Sequence, residues 1–152
     1  MTHIDGIELH PGRRYIVPLP PGEDLMAAIE RFCRQEGVVM AGFRAAGTLA
    51  SVIVGSYDSH QQVFVTHRLE GELDIVGCEG TIRLDPRKTV AEARILVSDL
   101  EGALTGGRLF SPSPIRRAEA ILTEYRDPVP ARSIDPVAGL PVWEAPFSSN
   151  TP

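Results

Sequence analysis

The sequence predicts an α+β domain in which one helix covers a mostly antiparallel sheet. Two observations carry this. A single segment, Asp24–Glu36, has apolar residues at helical spacing. Nearly everything from Val38 to Arg126 instead shows strand signals broken by short turns. One amphipathic helix followed by consecutive strands favours helix-on-sheet layering over alternating parallel units.

The chain has 152 residues, enough for one domain with a real core. The expected layout is a single domain over residues 1–152, with its core at about 13–126 and an irregular tail over 127–152. Apolar residues make up 43 % and charged residues 23 %, which fits a soluble globular chain. The formal net charge of −5 disfavours a phosphate-backbone partner. Lys88 is the single lysine, so the cations are nearly all arginine, the better side chain for bidentate carboxylate pairing. Cys33 and Cys78 are far apart and lack metal-ligand spacing. Without a signal-like N-terminus or an 18-residue apolar run, a cytoplasmic protein with reduced thiols and no membrane contact is expected.

Met1–Gly12 reads as a loose lead-in. Arg13–Leu19 reads as a first strand, which Pro18 confines to an edge or terminus. Pro20-Pro21-Gly22 turns the chain. Glu23 and Asp24 place negative charge at the helix start, and Gly37 supplies its stop. On the helix, Leu25, Met26, Ile29, Phe32 and Cys33 share one face. Val38–Thr48 and Ala50–Tyr57 read as two strands, Asp58–Gln62 as a polar turn, and Val63–Leu69 and Leu73–Leu84 as two more strands. Asp85-Pro86-Arg87-Lys88 reads as a turn. Ile115–Tyr125 has both helical and alternating features and is taken as a strand. From Asp127 to Pro152, proline, alanine and serine predict a tail without regular structure, disordered at its end.

The most informative stretch is Ala91–Phe110, a hairpin. Ala91, Ala93, Ile95 and Val97 alternate with Glu92, Arg94, Leu96 and Ser98, and Asp99–Gly102 turns the chain. The second arm carries Gly106-Gly107, where a backbone bulges or is closely approached. Glu92 and Arg94 share a face, and Arg108 follows the glycines. This group, with Gly106 and Gly107, is the candidate ligand-binding site. The competing reading is a solvated strand face with a surface ion pair. His67 and His60 lie in or beside strands, and whether either joins the hairpin is open.

Phosphate loops, dinucleotide fingerprints, HExxH and nucleophile-elbow patterns are missing from the sequence. No catalytic residues emerge, and no cofactor is expected.

Five blocks, GEDLMAAIERFCRQEGV, GFRAAGTLASVIVGSYD, ELDIVGCEGTI, ILVSDLEGALTGGRL and DPVAGLPVWE, occur in this order. From about Arg13 to Glu144 the chain resembles the PPC (plants and prokaryotes conserved, DUF296) family. The resemblance implies a strongly bent sheet, a homotrimer, and a fold similar to that of the zinc enzyme acetolactate decarboxylase. Plant relatives carry an AT-hook; Pro11-Gly12-Arg13-Arg14 only echoes it. Bacterial relatives are often labelled as DNA-binding, and they often carry His-x-His before the hairpin turn and Gly-Gly-His after it, a triad that can hold a divalent metal. The matching positions here are Glu92, Arg94 and Arg108. Guanidiniums cannot ligate zinc, so no metal is expected at this triplet. The readings carried forward are a non-enzymatic regulatory or partner-binding homotrimer, a small-anion binder using Arg94 and Arg108, a metal-independent enzyme, and a DNA-binding protein. Specific DNA binding is not expected from the charge.

Overall fold

The structure is a computed structural model, and it describes residues 2–85 and 89–144. One helix, α1 (Leu25–Glu36), accompanies eight strands: β1 (His10–Leu19), β2 (Met40–Asp58), β3 (Val63–Arg83), β4 (Val90–Ser98), β5 (Leu104–Phe110), β6 (Ile115–Asp127), β7 (Arg132–Ile134) and β8 (Pro141–Trp143). Six strands form one antiparallel sheet in the order β1-β6-β2-β3-β4-β5, and β7 pairs with β8. The domain is thus mostly sheet, and α+β describes it only loosely.

The helix forms where periodicity and capping agree. The Asp24 carboxylate accepts from the Ala27 N–H at 3.0 Å, capping the first turn. The same carboxylate accepts from Ser113 N at 2.6 Å and Ser111 Oγ at 2.7 Å, which ties the helix start to the β5–β6 loop. Gly37 ends the helix at φ 67°. Leu25, Met26, Ile29 and Cys33 are buried against the sheet. Phe32 sits at the margin, edge-on to Tyr15 with ring centroids 5.0 Å apart.

Two corrections concern the long strands. The runs 38–48 and 50–57 join into β2, and 63–69 and 73–84 join into β3. The polar turn between them stays where it was expected. At Gly47 (φ +124°) and Gly71 (φ +117°) the backbone takes values that bend a strand without ending it. Register shifts between Arg44 and Thr48 and between Leu49 and Ser51 mark the bend of β2. Beyond it β2 changes neighbours: its first half pairs with β6, while Ile53, Val54 and Gly55 pair with Phe110, Leu109 and Arg108 of β5. β5 also pairs with β4, so β2, β3, β4 and β5 close into a ring. Leu49, Val52, Val54, Leu73, Ile82, Val97 and Leu122 fill the core, each at most 1 % exposed.

β1 begins at His10, three residues earlier than expected, and lies at the sheet edge as Pro18 requires. Ile115–Asp127 is a strand: alternation outweighs the helix-forming residues because β6 is held between β1 and β2. The tail differs from expectation, since β7 and β8 form a small hairpin within 132–143. The expectation of a disordered end falls on residues 145–152, and most of the turn at 85–88 falls on 86–88; both lie outside the described residues.

Buried polarity is concentrated at Glu124, which is 5 % exposed. Its carboxylate accepts from Arg13 Nε at 3.0 Å, Arg13 N at 2.9 Å and Arg126 Nε at 3.3 Å. The Arg13 side chain, then its backbone N–H, hold the Glu124 pKa down at about 2 against the opposing effect of burial. The folded pKa lies below the ordinary 4.5, so this stabilisation is complete above about pH 4.5 and is lost as pH falls towards 2. Arg13 and Arg126 are 43 % and 59 % exposed, and solvent screening reduces the contribution to about 1–2 kcal/mol. Denaturant unfolding between pH 7 and pH 2.5 should therefore fall more steeply for the native chain than for Glu124→Gln. Parallel pH profiles would refute this. Cys33 and Cys78 are buried and free, and burial is the main force raising both thiols to about 12, so neither is a reactive thiolate.

Candidate ligand-binding cleft

Strand alternation sends Ala93, Ile95 and Val97 into the core and leaves Glu92, Arg94 and Leu96 on the outer face of β4. Register then builds a charged row across the ring. Arg44 of β2 faces Glu79 of β3, Glu79 faces Arg94 of β4, and Arg94 faces Arg108 of β5. The row closes where Arg108 meets Gly55, again on β2.

Glu92 pairs with two arginines. Arg108 Nη1 lies 3.4 Å from its Oε2, and Arg132 Nη2 donates to its Oε1. Arg132 was not legible as a site residue, because the tail read as irregular. It belongs to β7, and its side chain is only 8 % exposed. Its guanidinium lies over the Trp143 ring of β8, 4.2 Å from the centroid. Its Nε is buried without a hydrogen-bond partner among the described residues.

Arg108 is also held by rings. Its guanidinium carbon lies 5.1 Å from the Phe64 centroid and 5.9 Å from that of Phe110. Phe64 contacts Tyr57 and Phe110 with centroids 5.1 and 5.2 Å away. The Tyr57 hydroxyl donates to Ala138 O, and Gln62 Nε2 donates to Val137 O at 3.1 Å, pinning the tail beside this cluster. Arg94 differs from its neighbours: it is exposed and makes no ion pair among the described residues. Glu79, its neighbour across the sheet, pairs with Arg44 at 3.4 Å instead.

These groups border an open cleft of about 680 Å³, lined by Arg94 and Arg108 together with Tyr57, Phe64, Leu140 and Pro141. Neither His60 nor His67 lines it. Gly106 and Gly107 have a packing role. A Cβ on Gly107 would lie 2.5 Å from Gly55 O, and one on Gly106 would lie 2.7 Å from Ile95 O. The pair is glycine because β5 must pass close to two strands at once.

The fold and cleft define a class: small, mainly antiparallel domains closed by one helix and one strand ring. The chain belongs to the Plants and Prokaryotes Conserved (PCC) domain family, whose profile matches residues 7–126. A metal-containing protein of Archaeoglobus fulgidus is similar in structure, with 26 % identity, a TM-score of 0.85, and coverage of 93 % of this chain and 99 % of that one. A plant- and prokaryote-conserved protein of Pyrococcus horikoshii matches at 26 % identity and TM-score 0.84, covering 93 % and 97 %. A Ralstonia eutropha protein described as a candidate for DNA binding matches at 20 % identity and TM-score 0.75, over 87 % and 91 %; that likeness shows the fold alone. Among curated proteins, the bifunctional protein GlmU of a Synechococcus strain is 33 % identical over 90 % of this chain. The chain spans only 23 % of that relative's length.

A divalent metal does not fit the hairpin triplet. Both Glu92 oxygens already face guanidiniums, and Arg94 and Arg108 offer no lone pair. Among the described residues no three His, Cys, Asp or Glu side chains cluster in a way that could hold an ion. No helix among them is long and apolar enough to cross a membrane.

Proposed function

We propose that this PCC domain is a non-enzymatic binding module, working as a partner-binding homotrimer, that takes a small anion into the cleft at Arg94. The carrying observation is the division of charge among three arginines. Glu92 occupies Arg108 and Arg132, and Arg94 is left with a fork of donors that has no ion-pair partner among the described residues, on a concave surface. Such a guanidinium suits bidentate recognition of an oxyanion. Arg108 contributes positive potential at the rim and holds the aromatic wall. The close packing of Gly106 and Gly107 supports a role in shaping the site rather than in direct contact.

The enzymatic alternative is weaker, because Glu92 has both oxygens committed to Arg108 and Arg132 and is not free to act as a base. Net charge of −5 per chain argues against DNA, since three chains would carry about −15 in all. Supporting a homotrimer, Ile16 and Ile121 face each other across β1 and β6 while 70 % and 58 % exposed, an apolar pair that association would cover.

Calorimetric titration with acetate and with inorganic phosphate at low salt tests the reading, alongside light scattering of the same samples. Saturable heat should appear at millimolar anion and weaken at least tenfold in Arg94→Ala, with a mass near three times the 16.5 kDa chain. Identical titrations for both proteins would remove the anion site, and a single-chain mass would remove the trimer.

A further inference from the structure

We infer that the anion selected by this cleft is a monocarboxylate carrying a flat apolar body about one ring in size; the inference rests on the anion reading above. Three independent features converge on this chemistry.

The first is charge. Arg94 is the one lining cation without an ion-pair partner among the described residues, because Arg108 serves Glu92 and Glu79 is neutralised by Arg44. One free guanidinium matches one negative charge. Its planar fork matches a carboxylate edge better than a tetrahedral dianion, which would need further donors.

The second is the apolar wall. Beyond the arginines the cleft is lined by the rings of Tyr57 and Phe64 and by Leu140 and Pro141. Phe64 is half-buried and fixed by its ring neighbours and by Arg108, so its orientation is set before any ligand arrives. A rigid aromatic surface costs little entropy when it binds a flat partner. Inorganic anions and acetate would leave this surface wet.

The third is size. A cavity of about 680 Å³ falls in the range that takes organic ligands, and is many times larger than a single oxyanion needs. Leu140 and Pro141 come from the β7–β8 strap, which is fastened by Arg132–Glu92 and by Tyr57 and Gln62. The strap therefore supplies the apolar side of the cleft and the charge that frees Arg94 for the ligand.

Competitive calorimetry with benzoate, acetate and inorganic phosphate decides the matter, using the native protein, Leu140→Ser, Phe64→Ala and Arg94→Ala. Benzoate should bind the native protein at least tenfold more tightly than either other anion. That preference should shrink to threefold or less in Leu140→Ser, at a half-buried loop position, and in Phe64→Ala, with benzoate losing more affinity than acetate in both. All three anions should weaken at least tenfold in Arg94→Ala. If acetate or phosphate equals benzoate in the native protein, the carboxylate-plus-ring inference fails while the anion site stands. A benzoate preference that survives both apolar substitutions places the ring elsewhere and also defeats it. If no anion binds in an Arg94-dependent way, this inference and the anion reading fall together.

Discussion

Gly107→Ala should lose about 3 kcal/mol or more of folding stability and, with it, the cleft. The added methyl would sit 2.5 Å from Gly55 O and 3.2 Å from Gly55 C. Both atoms are backbone, so no side chain can swing aside. Relief requires β5 to move away from β2 at the Gly55–Arg108 pair, where the ring closes. Arg108 would then leave its place against Phe64 and Phe110, and Glu92 would lose one of its two partners. Gly77→Ala is the matched control, because a Cβ there meets nothing within 4 Å and its φ is ordinary. Urea unfolding should give a near-native midpoint for Gly77→Ala and a large drop for Gly107→Ala. A Gly107→Ala protein within 1 kcal/mol of native would mean that β5 has slack at the crossing.

The second large effect is expected at Glu92. Glu92→Gln keeps the shape and removes the charge that Arg108 and Arg132 share. Arg132 matters more, with its side chain 8 % exposed and its Nε already without a partner. Removing one partner of a largely buried pair leaves an uncompensated charge, which costs roughly 3–5 kcal/mol when burial is complete. Glu92 and Arg108 are 30 % and 26 % exposed, so about 2–3 kcal/mol is the fitting expectation. The variant also gathers three cations without a counter-charge around one cleft. Sulfate should therefore recover part of the lost melting temperature, beyond its general effect on the native protein, whereas equal ionic strength of chloride should not. A loss below 0.5 kcal/mol with no sulfate response would show an ordinary surface pair.

Much of the fold was legible because the signals were local. Helix α1 followed from apolar spacing, an acidic cap at Asp24 and a glycine stop at Gly37. The β4–β5 hairpin followed from strict alternation and the turn at 99–102, and the same alternation correctly placed Glu92 and Arg94 outside and Ile95 and Val97 in the core. The family was legible from the order of five blocks.

Other features depended on contacts that no local pattern encodes. The breaks expected after Thr48 and after Leu69 fall inside single strands, because β2–β3 pairing resumes beyond each register shift and carries the backbone through a positive φ at Gly47 and Gly71. Gly106-Gly107 looked like an open approach for a ligand, whereas β5 needs both glycines to pass between β4 and β2. The tail looked irregular because three-residue strands are too short to show a period, and contacts distant in sequence, Arg132 with Glu92 across 40 positions and Tyr57 and Gln62 with the β7–β8 loop, give it its place. The sequence by itself therefore determined which residues face outward at the hairpin. Which arginine takes Glu92, and which remains free, was decided by tertiary structure: charge pairing depends on distance in space, and β7 comes near β4 only when the whole chain has folded.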